Sequence, residues 1–157
     1  MRYTSAALIA CAVAAGCAAT PPPKPLPVAT IVIDTDHGPH SFRVEVANDH
    51  DSQERGLMFR KVMAPDAGML FDFHNLVQVS FWMKNTILPL DMLFIKPDGT
   101  ISSIAPNAVP YSEEGIPSAE PIRAVLEING GRAAALGIEP GGKVHAPIFG
   151  DALPGQK

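Results

Sequence analysis

From Thr30 onward, short apolar runs alternate with Gly, Pro, Asn and Asp, and this punctuation restricts the chain to short strands. Residues 31–33 are β-branched. Phe42, Val44 and Val46 alternate with Arg43 and Glu45, the period of a half-buried strand. Further strand candidates span 69–73, 77–84, 90–96, 101–105 and 122–128, with a last short one at 143–146. The stretch KPDGT at 96–100 joins two of them and is a strong hairpin signal. Two short helices interrupt the series. One covers 48–60, with Asp49 or Asp51 as its cap and Leu57, Met58 and Phe59 on its apolar side. The other follows Gly130 and Gly131 over 132–136 and ends at Gly137. Residues 106–121 hold four prolines and read as a long loop. These elements predict a mainly β domain (β-rich α+β), a small antiparallel barrel or closed sandwich with two short helices.

The first 17 residues fit a signal peptide: Arg2, an Ala-rich apolar segment, then small residues before Cys17. The apolar segment is too short for a permanent span, which needs about 20 residues. Cys17 is the lipidation candidate, since it follows small residues as in a lipoprotein cleavage box, although Ala14 stands where Leu is usual. A Pro-rich linker over 18–29 favours polyproline II, and a single β-rich domain fills 30–150. The expected location is exported, in the periplasm or membrane-anchored facing it. Cys11 and Cys17 both lie in the leader, so the domain has no disulfide, thiol nucleophile or cysteine zinc site. A net charge of −4 and the lack of any Lys/Arg run argue against nucleic acid as a partner.

Few motifs suggest chemistry. DTDHG at 34–38 resembles half of a calcium loop, but Gly and Pro fall at the wrong positions, and it reads as a hairpin tip. His37 and His40 lie on no helix and read as surface-loop residues. NGG at 129–131 places backbone N–H groups at a helix start, where an anion binds well. Met58, Met63, Met69, Met83 and Met92 crowd a short stretch. Thioethers suit copper(I), and methionine equally fills irregular cores. No Gly-x-Ser-x-Gly elbow is present, and no cofactor is implied.

The stretch FWMKNTILPLDMLFI at 81–95 places one cation and one anion in the most apolar part of the domain. Reading 77–84 as a central strand covered on both faces, with Pro89 at the crossing, brings Lys84 and Asp91 together near a shared end. They then form a buried latch, or they open together onto a pocket.

ERGLMFR at 54–60, GMLFDF at 68–73, FWMKNT at 81–86, Pro89 to Asp91 with Phe94, and Leu126-Glu127 followed by Gly130 closely resemble the domain of unknown function 192 family. The resemblance covers about residues 30–148. It implies a compact β-rich fold, often behind a signal sequence, and no activity. It marks Arg55, Met58, Arg60, Met83, Lys84, Asn85, Asp91 and Glu127 as characteristic positions.

The leading expectation is a non-catalytic binding or accessory module of the cell envelope for a small polar or anionic ligand. Its ligand-binding candidates are Arg55, Trp82, Lys84, Asn85, Asp91 and Glu127. The alternatives are an enzyme using Lys84 with Asp91 or Glu127 as an acid–base pair, a structural envelope protein, and a methionine-based copper binder.

Overall fold

The computed structural model describes residues 24–151 and residue 153. The expected leader with Cys17 and the first part of the linker lie outside the described residues. Strands β1 (Val28–Thr35) and β2 (Gly38–Ala47) pair antiparallel, and β1 begins two residues before the expected start of the domain at 30. At their tip the Thr35 hydroxyl donates to the Gly38 carbonyl at 2.7 Å, and Gly38 has φ +98, a value suited to glycine. The calcium-like stretch therefore forms the hairpin turn.

Helix α1 (His50–Arg55) follows, capped by Asp49, whose side chain accepts the Ser52 N–H at 2.8 Å. It is shorter than the 48–60 expected. Gly56 turns the chain at φ +48, and Phe59 lies beyond the helix, exposed, at φ +64. Strand β3 (Ala67–Val77) then returns parallel to β2, which corrects the all-antiparallel expectation. The connection through α1 is long enough to make that crossover.

The remaining elements are β4 (Ser80–Phe81), β5 (Leu90–Ile95), β6 (Ile101–Ala108), β7 (Ile116–Pro117), β8 (Ile122–Asn129), α2 (Arg132–Leu136), β9 (Val144–His145) and a 3-10 turn at Pro147–Phe149. Seven strands form one sheet in the order β6-β5-β8-β3-β2-β1-β9, and β4 pairs with β7 as a separate ribbon. The large sheet curls into a half-barrel. Its edge strands approach each other at one end, where Val144 N–H donates to the Gly99 carbonyl at 2.8 Å and Ile101 N–H to the Gly142 carbonyl at 2.9 Å. Those bonds occupy edge groups that would otherwise invite strand addition. The protein is thus mainly β with two short helices, as its turn punctuation predicts.

Two cores lie on opposite faces of the sheet. Ile31, Phe42, Leu70, Leu93, Leu126 and Val144 fill the concave side, where Ala133 of α2 packs. Met69, Phe71, Met92, Phe94 and Val125 face the other way, against Leu57, Met83 and Leu90. The central strands β3, β8 and β5 are therefore buried on both faces, and all six residues of β5 are buried. A doubly covered strand reads as a continuous apolar run. The covered strand is 90–95, not 77–84. Of the latter stretch, only Ser80 and Phe81 continue as a separate strand, while Lys84 and Asn85 sit in a turn.

Candidate functional site

A cavity of about 380 Å³ opens between the C-terminal end of α1 and the β4 ribbon. Its walls are largely apolar: Leu57, Phe71, Phe73, Val79 and Phe81. The Phe81 ring meets Phe71 edge-on at 5.0 Å and Phe73 at 6.4 Å, which fixes the wall. Arg55 and Trp82 also line it, and the Thr86 side of the turn closes it.

Helix α1 is held over the cavity by Gln53, whose amide donates to the Asp72 carbonyl at 2.8 Å. Gly56 lets the chain cross the Phe71 ring closely; a Cβ there would lie 3.2 Å from its Cζ. Asn85 adopts φ +55, a conformation Asn tolerates, and its carbonyl accepts the Phe59 N–H at 2.9 Å. Tyr111 N–H donates to the Thr86 carbonyl at 3.1 Å. Three turns are thereby laced side by side at the cavity edge.

Glu127 lies in the cavity lining. It sits on β8 directly between Met69 of β3 and Met92 of β5. The residue is 4% exposed. Among the described residues no hydrogen bond or ion pair reaches its carboxyl, and burial alone pushes its pKa up to about 8. Glu127 is therefore protonated at neutral pH. Perturbed carboxyls in apolar cavities mark functional sites more often than ordinary cores do.

The other candidates are placed differently. The Lys84 ammonium stands over the Trp82 ring at 4.9 Å, outside the cavity lining. The Arg55 guanidinium stands over Phe59 at 5.8 Å. Asp91 is fully buried and accepts three backbone N–H groups, from Asn107 at 2.8 Å, Gly131 at 2.9 Å and Ala133 at 2.8 Å. Lys84 and Asp91 do not pair, and the expected latch is replaced by a carboxylate seated at the start of α2. The Asn129-Gly-Gly131 anion site is thus occupied by the protein's own Asp91. The structure brings Arg55, Trp82 and Glu127 to one cavity and sets Lys84, Asn85 and Asp91 apart from its lining. Of the methionines, Met58 lines the cavity and its sulfur accepts from the Asn85 amide at 3.8 Å, while Met69, Met83 and Met92 are fully buried in one core.

Several contributors escaped sequence reasoning. Phe71, Phe81 and Val79 look like ordinary strand residues, and only the fold turns them toward one space. A second, larger hollow of about 760 Å³ shares Arg55, Gly56 and Met58 and is roofed by Lys24, Pro25 and Leu26. Two of its three acidic residues are already engaged: Glu45 pairs with both terminal Arg60 nitrogens, and Asp49 caps α1. His40, read as a surface-loop residue, pairs with Asp66 at 2.8 Å, which also binds Arg132 at 2.6 Å.

The family model of domain of unknown function 192 (DUF192), described as "Uncharacterized ACR", matches residues 31–146. None of the curated proteins matches the chain. Two solved structures are similar to it. A candidate transcription regulator from Sinorhizobium meliloti 1021 is 47% identical, with 81% of this chain and 99% of that one covered and a TM-score of 0.78. A protein of unknown function from Novosphingobium aromaticivorans DSM 12444 is 44% identical, with 82% and 94% covered and a TM-score of 0.75.

Proposed function

The chain belongs to the DUF192 family, and from that premise we propose that it is a non-catalytic binding module of the cell envelope that takes a small polar ligand into the Glu127 cavity. The observation that carries this reading is the Glu127 carboxyl in the lining of a largely apolar cavity, its pKa raised by burial. A carboxyl in the lining of such a cavity offers a ligand one placed polar group among apolar walls. Arg55 and Trp82 flank the ligand, and the Lys84 ammonium on Trp82 adds positive charge nearby. The envelope assignment rests on the leader and Cys17, and detergent partitioning of wild type against Cys17→Ser tests it.

Ligand binding is tested by thermal shift across a panel of metabolites and metal ions, comparing wild type with Glu127→Gln. The expected result is a ligand that raises the wild-type Tm and fails to raise that of the variant. A panel ligand that shifts both proteins equally would place binding elsewhere and sink the reading. A second reading is favoured by the raised Glu127 pKa alone: a carboxyl protonated at neutral pH is equipped as a general acid. Turnover of a library substrate, lost in Glu127→Gln, would select it.

A further inference from the structure

The chemistry of the occupant can be narrowed, on the footing that the Glu127 cavity is the binding site. Its lining changes character from floor to mouth. Glu127 lies at the buried end with Leu57 and Phe71. Phe73 and Phe81 are half-buried, and Arg55 and Trp82 are exposed at the opening. Among the described residues no ion pair or hydrogen bond engages the Arg55 guanidinium, which rests on the Phe59 ring. Glu54, the remaining charged residue of the lining, has a side chain 73% exposed and stands 4.0 Å from His50. The cavity therefore holds an uncharged carboxyl at its floor and a cation with unclaimed donors at its mouth.

Each end selects its own group. Burial keeps Glu127 protonated at neutral pH, so it presents no charge for a cationic ligand to balance. A ligand carboxylate set against it would be an anion in apolar space with no cation beside it. An uncharged hydroxyl fits, because it can accept from the acid O–H and donate to the acid carbonyl. At the mouth, the planar fork of Arg55 suits a carboxylate, and one guanidinium balances one negative charge. Between the two ends, Phe81 meets Phe71 edge-on at 5.0 Å, and a flat ring extends that edge-to-face packing. A space of about 380 Å³ suits one ring with a short chain. We infer that the cavity binds a small aromatic carboxylate with a hydroxyl at the far end of its ring, the hydroxyl on Glu127 and the carboxylate on Arg55.

Trp82 is the sole tryptophan and stands at the cavity mouth, so its fluorescence reads occupancy directly. The full-length chain is titrated at neutral pH with para-hydroxyphenylacetate, which should change the emission saturably with one probe bound per chain. Phenylacetate lacks the hydroxyl and para-hydroxyphenylacetamide lacks the charge, and each should bind at least about tenfold more weakly. Two variants assign the ends. In Glu127→Leu the hydroxyl should confer no advantage, and in Arg55→Gln the acid and the amide should bind alike. The first sets an apolar side chain among apolar walls and the second changes an exposed one, so both should stay folded. Wild type that binds none of the three probes, or variants that discriminate among them as wild type does, overturns the inference. If para-hydroxyphenylacetate fails while another panel ligand still raises the Tm of wild type and not of Glu127→Gln, the inference falls and the cavity reading stands. If no ligand binds, both fall together.

Discussion

Asp91 Oδ2 accepts the backbone N–H of Ala133 at 2.8 Å, joining the second residue of β5 to the start of α2. Its Oδ1 serves Gly131 and Asn107 at 2.9 and 2.8 Å. Helix α2 has only five residues and no cap of its own, because Gly131 supplies no side chain. The orphan N–H groups at a helix start need an acceptor, and here it arrives from 40 residues earlier in the chain. A fully buried carboxylate is tolerated because three donors converge on it.

Removing that acceptor should be costly. Asp91→Ala leaves three N–H groups inside the fold without a partner, and each such loss costs roughly 1–3 kcal/mol. A destabilisation of at least about 3 kcal/mol is expected in urea unfolding. Asp91→Asn keeps one acceptor oxygen and should lose less. A loss below about 1 kcal/mol for the alanine variant would show that the three bonds contribute little.

Lys84→Met should behave in the opposite way. The ammonium lies over the half-exposed Trp82 ring, and among the described residues it forms no ion pair with Asp91. An exposed cation–π contact is worth about 0.5–1 kcal/mol. The variant is therefore expected to unfold within about 1 kcal/mol of wild type, with the Trp82 fluorescence changed. A loss of about 3–5 kcal/mol, the cost of breaking a buried ion pair, would revive the latch.

These two variants also show which parts of the structure were legible in the sequence. Strand β5 and the hairpin into β6 could be read because LDMLFI is a continuous apolar run and PDG a turn with a known geometry. Helix α2 could be read from its flanking glycines. The partner of Asp91 could not, although both halves were visible, as a buried carboxylate at 91 and an unfilled helix start at 131. Joining them requires knowing that β5 and β8 are neighbours, with Asp91 opposite Ile128. Proximity along the chain favoured Lys84 instead. The stretch before it was misread because FWM is apolar for two different reasons. Phe81 and Met83 pack inward, while Trp82 is 46% exposed and carries Lys84. Glu127 was visible as a charged residue inside an apolar strand, but its isolation is a property of the sheet, where Met69 and Met92 are its neighbours.

That isolation should appear in the pH dependence of stability. The Glu127 pKa is raised by burial from 4.5 to about 8 in the folded protein. Between those values the native state holds a proton that the unfolded chain has released, so the native state binds more protons. Stability must then fall as pH rises through this window, by up to about a factor of ten in the folding constant per pH unit. Below pH 4.5 both states are protonated and above about 8 both are ionised, so outside the window Glu127 adds no slope. Glu127→Gln removes the titrating group while keeping the shape. Urea unfolding at pH 5, 6.5 and 8 (values spanning roughly that window) should show the variant gaining on wild type as pH rises. Parallel stability profiles for the two proteins would mean that the Glu127 carboxyl is solvated or partnered in solution, and the unpartnered cavity would lose its basis.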